Sequence, residues 1–360
     1  MAVNGATGSV YDAVVVVSFG GPEGPADVAP FLDQVLRGRP VTPERRAAVA
    51  AHYHHFGGRS PINDHNRALV AAIQSELSAN GLELPVYWGN RNWHPFLGDT
   101  VAAMQADGVR RALAFVTSAY ASYSGCRQYL EDIARAREKV GSGAPVIDKL
   151  RLFYNHPGFI GANADALRSA WTELGNRLGS PPLAPDSPSD SPSAQVVFTA
   201  HSIPVAMAAT SDYQLQLATT AGLVMDASFE DRSPDERPSW SLAFQSRSGP
   251  PSVPWLEPDI GDHLRRLAAA GTGGVVVAPI GFVADHMEVV YDLDVEARAL
   301  ATSLGLPMVR AATAGIHPAF VAMVRQLVEE RLGPLTPKLA LGDDGAYHDV
   351  CPPGCCPRPR

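Results

Sequence analysis

Short apolar runs alternate with longer amphipathic ones along this chain, the pattern of strands interleaved with helices. The pattern predicts strands at Ala13–Phe19, Leu84–Trp88, Arg111–Thr117, Leu150–Tyr154, Gln195–Thr199, Ser241–Gln245, Val275–Ile280 and Pro307–Val309. Helix signals fall between them. Thr42-Pro43 opens a helix towards His55, with Thr as N-cap and Pro in the first turn. Asn63 opens another, with Ala68, Leu69, Ala72, Ile73 and Leu77 on an apolar stripe and Asn80-Gly81 at its end. Asp259–Ala270 and Met287–Leu304 read the same way. Valine-rich strands separated by helices imply parallel sheets covered on both faces.

One stretch interrupts the alternation. Leu178–Ala194 holds five prolines and five serines in 17 residues and cannot build a core, so it reads as a surface insertion or linker. It divides the chain into an N-terminal lobe (12–177) and a C-terminal lobe (195–332), each with about four strand–helix repeats. The expected class is α/β, two Rossmann-like lobes with parallel sheets. A ligand is expected in the cleft outside the carboxyl ends of the strands. The stretch 333–360 is rich in Pro and Gly and reads as an irregular tail.

Composition narrows the partners. Over 360 residues, 29 Lys and Arg against 37 Asp and Glu give a net charge of −8 with no long basic run. That argues against nucleic acid or an anionic membrane as the main partner. The longest apolar runs, around Val14–Phe19 and Gly274–Val283, fall short of the ~20 residues that span a bilayer. Met1–Tyr11 lacks the basic start and apolar stretch of a signal peptide. A soluble, cytoplasmic chain is expected.

Candidate chemistry gathers at strand ends. After the first strand, Ser18-Phe19-Gly20-Gly21-Pro22 suits a tight turn approaching a ligand, and equally a plain strand–helix turn. It is not G-x-G-x-x-G, so a dinucleotide site is not expected. Phe198-Thr199-Ala200-His201 places a histidine at the carboxyl end of a strand, where open α/β sheets hold reactive groups. A single such histidine is more often structural. Asp285-His286-Met287-Glu288 follows another strand, and Asp292 and Glu296 continue it at four-residue spacing. On a helix these acids share one stripe and repel by roughly a few tenths of a kcal/mol per pair. A charge row is usually a solvated face. One that starts beside a cleft also suits hard cations or moving protons. His52, His54, His55 and His65 read mostly as surface or packing residues.

The four cysteines are unevenly placed: Cys126 in mid-chain, and Cys351, Cys355 and Cys356 in the last ten residues. The terminal trio is too clustered for a packing role. Iron–sulfur, zinc and free-thiol readings all fit the spacing.

Seven segments in order complete the picture: VSFGGPEG, HFGGRSPIN, WGNRNWHP, TSAYASYSGCRQY, FTAHSIP, WSLAFQSRSGP with PWLEP, and APIGFVADHMEVVYDLDVE. Together, from about Ala13 to Glu330, they resemble the ferrochelatase family, whose members insert ferrous iron into a porphyrin. SYSGCRQY and the terminal cysteines look most like the actinobacterial branch, which resembles the coproporphyrin III enzymes that make coproheme. The resemblance implies that His201 is the catalytic histidine and Glu288 the glutamate opposite it at the substrate-iron site. It implies that Asp292 and Glu296 form an acidic path for metal or protons. Phe19, Arg37, Tyr53, Ser60, Tyr123 and Tyr129 fall where the family contacts porphyrin. Phe19 has no donor atom, which rules out the tyrosine–iron product bond that some members make there. Cys126, Cys351, Cys355 and Cys356 match the set that holds a 2Fe–2S cluster in cluster-bearing members, although their terminal spacing departs from the animal enzymes.

The expectation is a monomeric cytosolic enzyme of haem biosynthesis, with transient contacts to neighbouring pathway enzymes. The competing readings are a protoporphyrin IX ferrochelatase, a cobalt or nickel tetrapyrrole chelatase, and a tetrapyrrole-binding carrier without activity. The carrier reading needs neither His201 nor Glu288.

Overall fold

The computed structural model describes residues 11–38, 41–179, 193–250, 252–333 and 335–358. Most of the Pro/Ser-rich stretch, 180–192, lies outside the described residues. Among the described residues eight strands form: β1 Ala13–Ser18, β2 Val86–Asn90, β3 Arg111–Val116, β4 Val146–Lys149, β5 Ala194–His201, β6 Trp240–Gln245, β7 Gly274–Ala278 and β8 Met308–Arg310. They form two four-stranded parallel sheets, ordered β2-β1-β3-β4 and β6-β5-β7-β8. The α/β class expected from the apolar pattern is present in both.

Alternation along the strands builds the core in layers. Ala13, Val15 and Val17 of β1 face one apolar cluster with Val101, Met104 and Ile133. Val14 and Val16 face the opposite way, into a cluster shared with Val196, Phe198 and Val276 of the second sheet. Val197, Val275 and Val277 face a third cluster with Leu264 and Leu293. The middle cluster joins the two sheets. Within it, Phe115 stacks on Phe153 at 5.3 Å, and Phe320 lies edge-on to both at 6.0 and 5.9 Å. The helix Pro157–Leu178 supplies Phe159 and Leu167 to that cluster, and Pro318–Leu332 supplies Phe320 and Val324.

Three local expectations need correction. Leu150–Tyr154 is buried but is not a strand; the fourth strand is Val146–Lys149 just before it. That edge strand alternates exposed and buried positions, whereas the longer apolar run serves the aromatic core instead of a ladder. The helix read as Met287–Leu304 is not continuous: Met287–Val290 gives way to a π-helical turn at Asp292–Ala297 and then to Arg298–Ser303. The helix read from Asn63 starts one residue earlier, at Ile62. The Asn63 amide instead donates to Gly21 O at 3.1 Å and His94 O at 3.3 Å, tying the glycine turn to the next loop. Thr42 does cap Pro43–His55, accepting from Arg45 N at 3.3 Å.

Among its described residues the tail has no helix or strand, yet it is pinned. Leu341 N donates to Asn155 O at 2.9 Å, and Asn155 Nδ2 returns to Gly345 O at 2.8 Å.

Candidate active site

In both sheets the first strand pairs with two neighbours, so the crevice at its carboxyl end is the topological switch point. In the C-terminal sheet β5 ends on His201, and the loop after β7 carries Asp285, His286 and Glu288. That loop must pass close to β5. Gly281 N donates to Thr199 O at 3.0 Å, and a Cβ on Gly281 would stand 2.5 Å from the Ala200 Cα. Only glycine allows the approach. Across from it, Tyr120 of the N-terminal lobe donates to Ile280 O at 2.9 Å and fixes the two lobes at this level.

The approach brings His201 Nε2 to 3.4 Å from Glu288 Oε2. His201 Nδ1 bonds the Ser202 carbonyl, and the Tyr213 hydroxyl donates to His201 O at 2.9 Å. Glu288 is held through its backbone: Gln245 Nε2 donates to its carbonyl, and its N–H donates to His286 Nδ1 at 3.2 Å. Burial disfavours the His201 imidazolium, but the Glu288 carboxylate outweighs it and holds the ring above the ordinary histidine range.

Asp292 sits at the start of the π-helical turn, its carboxylate accepting from the Ser246 hydroxyl. Burial lifts it to about 7, with Glu288 and Glu296 adding like charge and Ser246 opposing. Ser246 adopts a left-handed backbone, φ 63°, rare for a residue with a side chain. Glu296, further along the row, is also raised, by burial and then by Asp259. The acidic row therefore holds together through the π-helical turn.

Tyr53 faces this row from the N-terminal lobe. Burial, then the charges of Glu288 and Asp292, push its hydroxyl far above the ordinary tyrosine range. Its ring lies 5.5 Å from Phe31, in an apolar group with Phe19 and Trp93. Next to it, His52 stacks on Tyr291 at 3.7 Å, joining the Pro43–His55 helix to the opposite lobe. Thus His201, Glu288, Asp292 and Tyr53 converge, with Phe19 in the adjoining apolar wall.

The remaining predicted contacts lie elsewhere or are engaged within the protein. Arg37 is exposed at the end of the first helix. Ser60 is buried against the glycine turn, where a Cβ on Gly21 would stand 2.7 Å from its own. Tyr123 donates to Glu131 at 3.0 Å. Tyr129 is buried in the N-terminal core with the Arg91 guanidinium 3.8 Å over its ring. Gln245, Ser246, Tyr213 and His286 went unassigned in the sequence. Gln245 was findable, since it ends a strand at the same sheet edge. Tyr213 was not, because a helix of mostly apolar and amide residues gives no sign of which hydroxyl turns towards His201.

A second constellation lies apart from the cleft. Cys126 stands on a π-helical turn, Tyr123–Arg127, and packs with Cys356, Leu152, Cys351 and Cys355. Cys126 and Cys351 sulfurs are 3.9 Å apart, and those of Cys355 and Cys356 3.7 Å. All four are free thiols. Two sulfurs on one tetrahedral ion at about 2.3 Å stand about 3.8 Å apart, so the spacing and the all-sulfur donor set fit a metal–thiolate group. His348, Cys351 and Cys355 also bring their ligand atoms within 4.8 Å of one another, a donor the sequence reading did not include.

A family model described as Ferrochelatase matches residues 11–332. A relative from Rhodopirellula baltica named "Ferrochelatase" is 52% identical over 347 residues, covering 96% of this chain and 93% of its own. One from Streptomyces coelicolor named "Coproporphyrin III ferrochelatase" is 50% identical, covering 97% and 94%. Another of that name, from Mycobacterium marinum, is 48% identical and covers 97% of each chain. With the match running through both sheets and the cleft between them, the chain belongs to the ferrochelatase family.

Proposed function

We propose that this ferrochelatase inserts Fe²⁺ into coproporphyrin III to give coproheme, in haem biosynthesis. The observation that carries the reading is the His201–Glu288 pair, 3.4 Å apart where β5 and the loop after β7 meet. The porphyrin assignment draws on the names of the Streptomyces and Mycobacterium relatives.

Two pyrrole N–H protons must leave as the metal enters, and the pyrrole lone pairs must tilt out of the ring plane. His201 takes the protons one at a time, passing the first to the acidic row through Glu288, 3.4 Å from its Nε2, before it accepts the second; the Ser202 carbonyl anchors Nδ1 and leaves Nε2 as the acceptor. Glu288 offers its carboxylate to the incoming iron on the same atom pair. Asp292 is raised to about 7, so it exchanges protons near neutral pH and relays them along Glu296 to solvent. Phe19, Phe31, Tyr53 and Trp93 form an apolar wall suited to a flat macrocycle. A wall that fits the bent ring better than the flat one lowers the barrier by differential binding. Arg37, exposed just past the first helix, is the cation we assign to a propionate. Ser60 supports the glycine turn, while Tyr123 and Tyr129 buttress the N-terminal lobe.

Cys126, Cys351, Cys355 and Cys356 would hold a 2Fe–2S cluster, which would supply a one-electron centre remote from iron insertion. The enzyme works as a cytosolic monomer, with the lobes at 12–177 and 195–332 forming the two walls of the porphyrin cleft.

The test is anaerobic insertion by the wild type and His201→Ala. The variant is expected to lose at least about 100-fold in kcat while binding porphyrin within about threefold of wild type. Turnover near the wild-type rate removes His201 from proton transfer.

A further inference from the structure

We propose that Arg310 is a positioning residue for iron insertion: it grips Asp285 and Asp294 at once and so holds the segment between them with Glu288 facing His201. This rests on the role given to Glu288 above. Arg310 ends β8, where it pairs in register with Val277 of β7, and its side chain is 14% exposed. Nη1 and Nη2 donate to the two oxygens of Asp285 at 3.2 and 3.0 Å, and Nε donates to Asp294 at 2.9 Å. Nη1 also reaches Ala311 O at 3.3 Å. The loop after β8 adds two further ties: the Thr313 hydroxyl donates to Asp285 at 3.1 Å, and Gly315 N to Val283 O at 2.7 Å. Those ties hold the start of the loop after β7, and Arg310 reaches its far end as well. Arg298 also donates to Asp294, at 3.1 Å, but it follows on the same helical segment and is half exposed.

Glu288 and Asp292 both lie between the two gripped carboxylates. Over that stretch the hydrogen-bond period changes, from the short helix Met287–Val290 to the π-helical turn Asp292–Ala297. A π-turn takes in one residue more than an α-turn, so a slip to the α period turns one side of the junction against the other by about 100°. With Asp285 and Asp294 on one planar guanidinium, the two ends cannot turn independently. The Glu288 carboxylate meets His201 at 3.4 Å, and Gln245 and His286 hold Glu288 by its backbone, so its reach depends on where this backbone sits. A displacement of about 1 Å at a reacting group can cost about 100-fold in rate. Lysine at position 310 keeps the charge, but as a point donor on a flexible stem it cannot take both oxygens of Asp285 and still hold Asp294.

The experiment uses the full-length protein as wild type, Arg310→Lys, Glu288→Gln, the double variant and Arg151→Lys. The last weakens a different buried pair, Arg151 with Glu330 at 2.8 Å, and serves as the stability control. Anaerobic Fe²⁺ insertion into coproporphyrin III and into protoporphyrin IX is measured well below each melting temperature, and porphyrin Kd by fluorescence quenching. Arg310→Lys is expected to lose at least about tenfold in kcat while its porphyrin Kd stays within about threefold of wild type. Added to Glu288→Gln it is expected to cost less than about twofold more, because it acts through that carboxylate. Arg151→Lys is expected to melt lower with kcat within about twofold of wild type. An Arg310→Lys variant that melts lower but turns over like wild type overturns the proposal. So does a loss that multiplies in full onto Glu288→Gln, or an equal loss in Arg151→Lys. If Arg310→Lys does not fold, Asp294→Ala removes the far grip alone: a kcat at least about threefold down with porphyrin Kd unchanged supports the proposal, and wild-type kcat overturns it. Failure of the Glu288 role shows separately, as a Glu288→Gln variant as fast as wild type, and takes the proposal with it.

Discussion

At the scale of single residues, the site is set by how burial and charge oppose each other. Asp292 has a folded pKa of about 7, well above the unfolded carboxylate value of about 3.9. Between those two values the folded chain keeps a proton that the unfolded chain has lost. Its contribution is therefore fully present below about pH 4 and declines as pH rises to about 7. The groups facing it are Glu288 and Glu296 on its own segment, His201 from β5, Ser246 after β6, and Tyr53 from the opposite lobe. Asp292→Asn should remove this decline, leaving urea stability flatter from pH 4 to 7 and higher at neutral pH by up to about 4 kcal/mol. The same variant should lose a limb of the rate profile that rises through about pH 7. An unchanged stability slope would remove the shifted Asp292 from the account. His201 and Glu288 stand out as candidates at and beyond strand ends, but their roles rest on the family resemblance. Ser246 was not assigned, because its value lies in a left-handed backbone that aims its hydroxyl at Asp292.

At the scale of elements, the strands were readable where burial was complete and misread where it was one-sided. β1 and β7 are buried at every position and stand out as valine runs. β4 alternates, and the richer apolar run after it drew the assignment. The π-helical turn escaped because its hydrogen-bond period leaves no compositional trace; Val295 and Glu296 both reach back to Tyr291 O, at 3.2 and 3.0 Å. The tail also depends on an element contact invisible in sequence. Arg151 and Glu330 pair at 2.8 Å with side chains 1% and 2% exposed, and Arg151 also donates to Leu339 O at 2.8 Å. Glu330→Ala leaves that guanidinium uncompensated and should cost roughly 3–5 kcal/mol in chemical denaturation, with loosening of the tail by hydrogen exchange. A loss under about 1 kcal/mol would show that the pair is not what anchors the tail.

At the scale of the whole molecule, one apolar cluster spans both sheets, so the lobes hold the cleft as a unit. The cysteine pocket ties the far end of the chain to the mid-chain turn at Cys126. Cys356→Ser should abolish the visible absorption of freshly purified protein; retained absorption would exclude Cys356 as a ligand. Removing the last ten residues should lower the melting temperature by several degrees while leaving His201, Glu288 and Asp292 in place, so that porphyrin still binds at low temperature. The most direct measurement compares initial rates of anaerobic Fe²⁺ insertion into coproporphyrin III and protoporphyrin IX by the same preparation, followed by the absorbance of each product. Coproheme formation is expected with a kcat/KM at least about tenfold above that for protoporphyrin IX, a difference of about 1.4 kcal/mol in transition-state binding. Equal rates, or a preference for protoporphyrin IX, would contradict it.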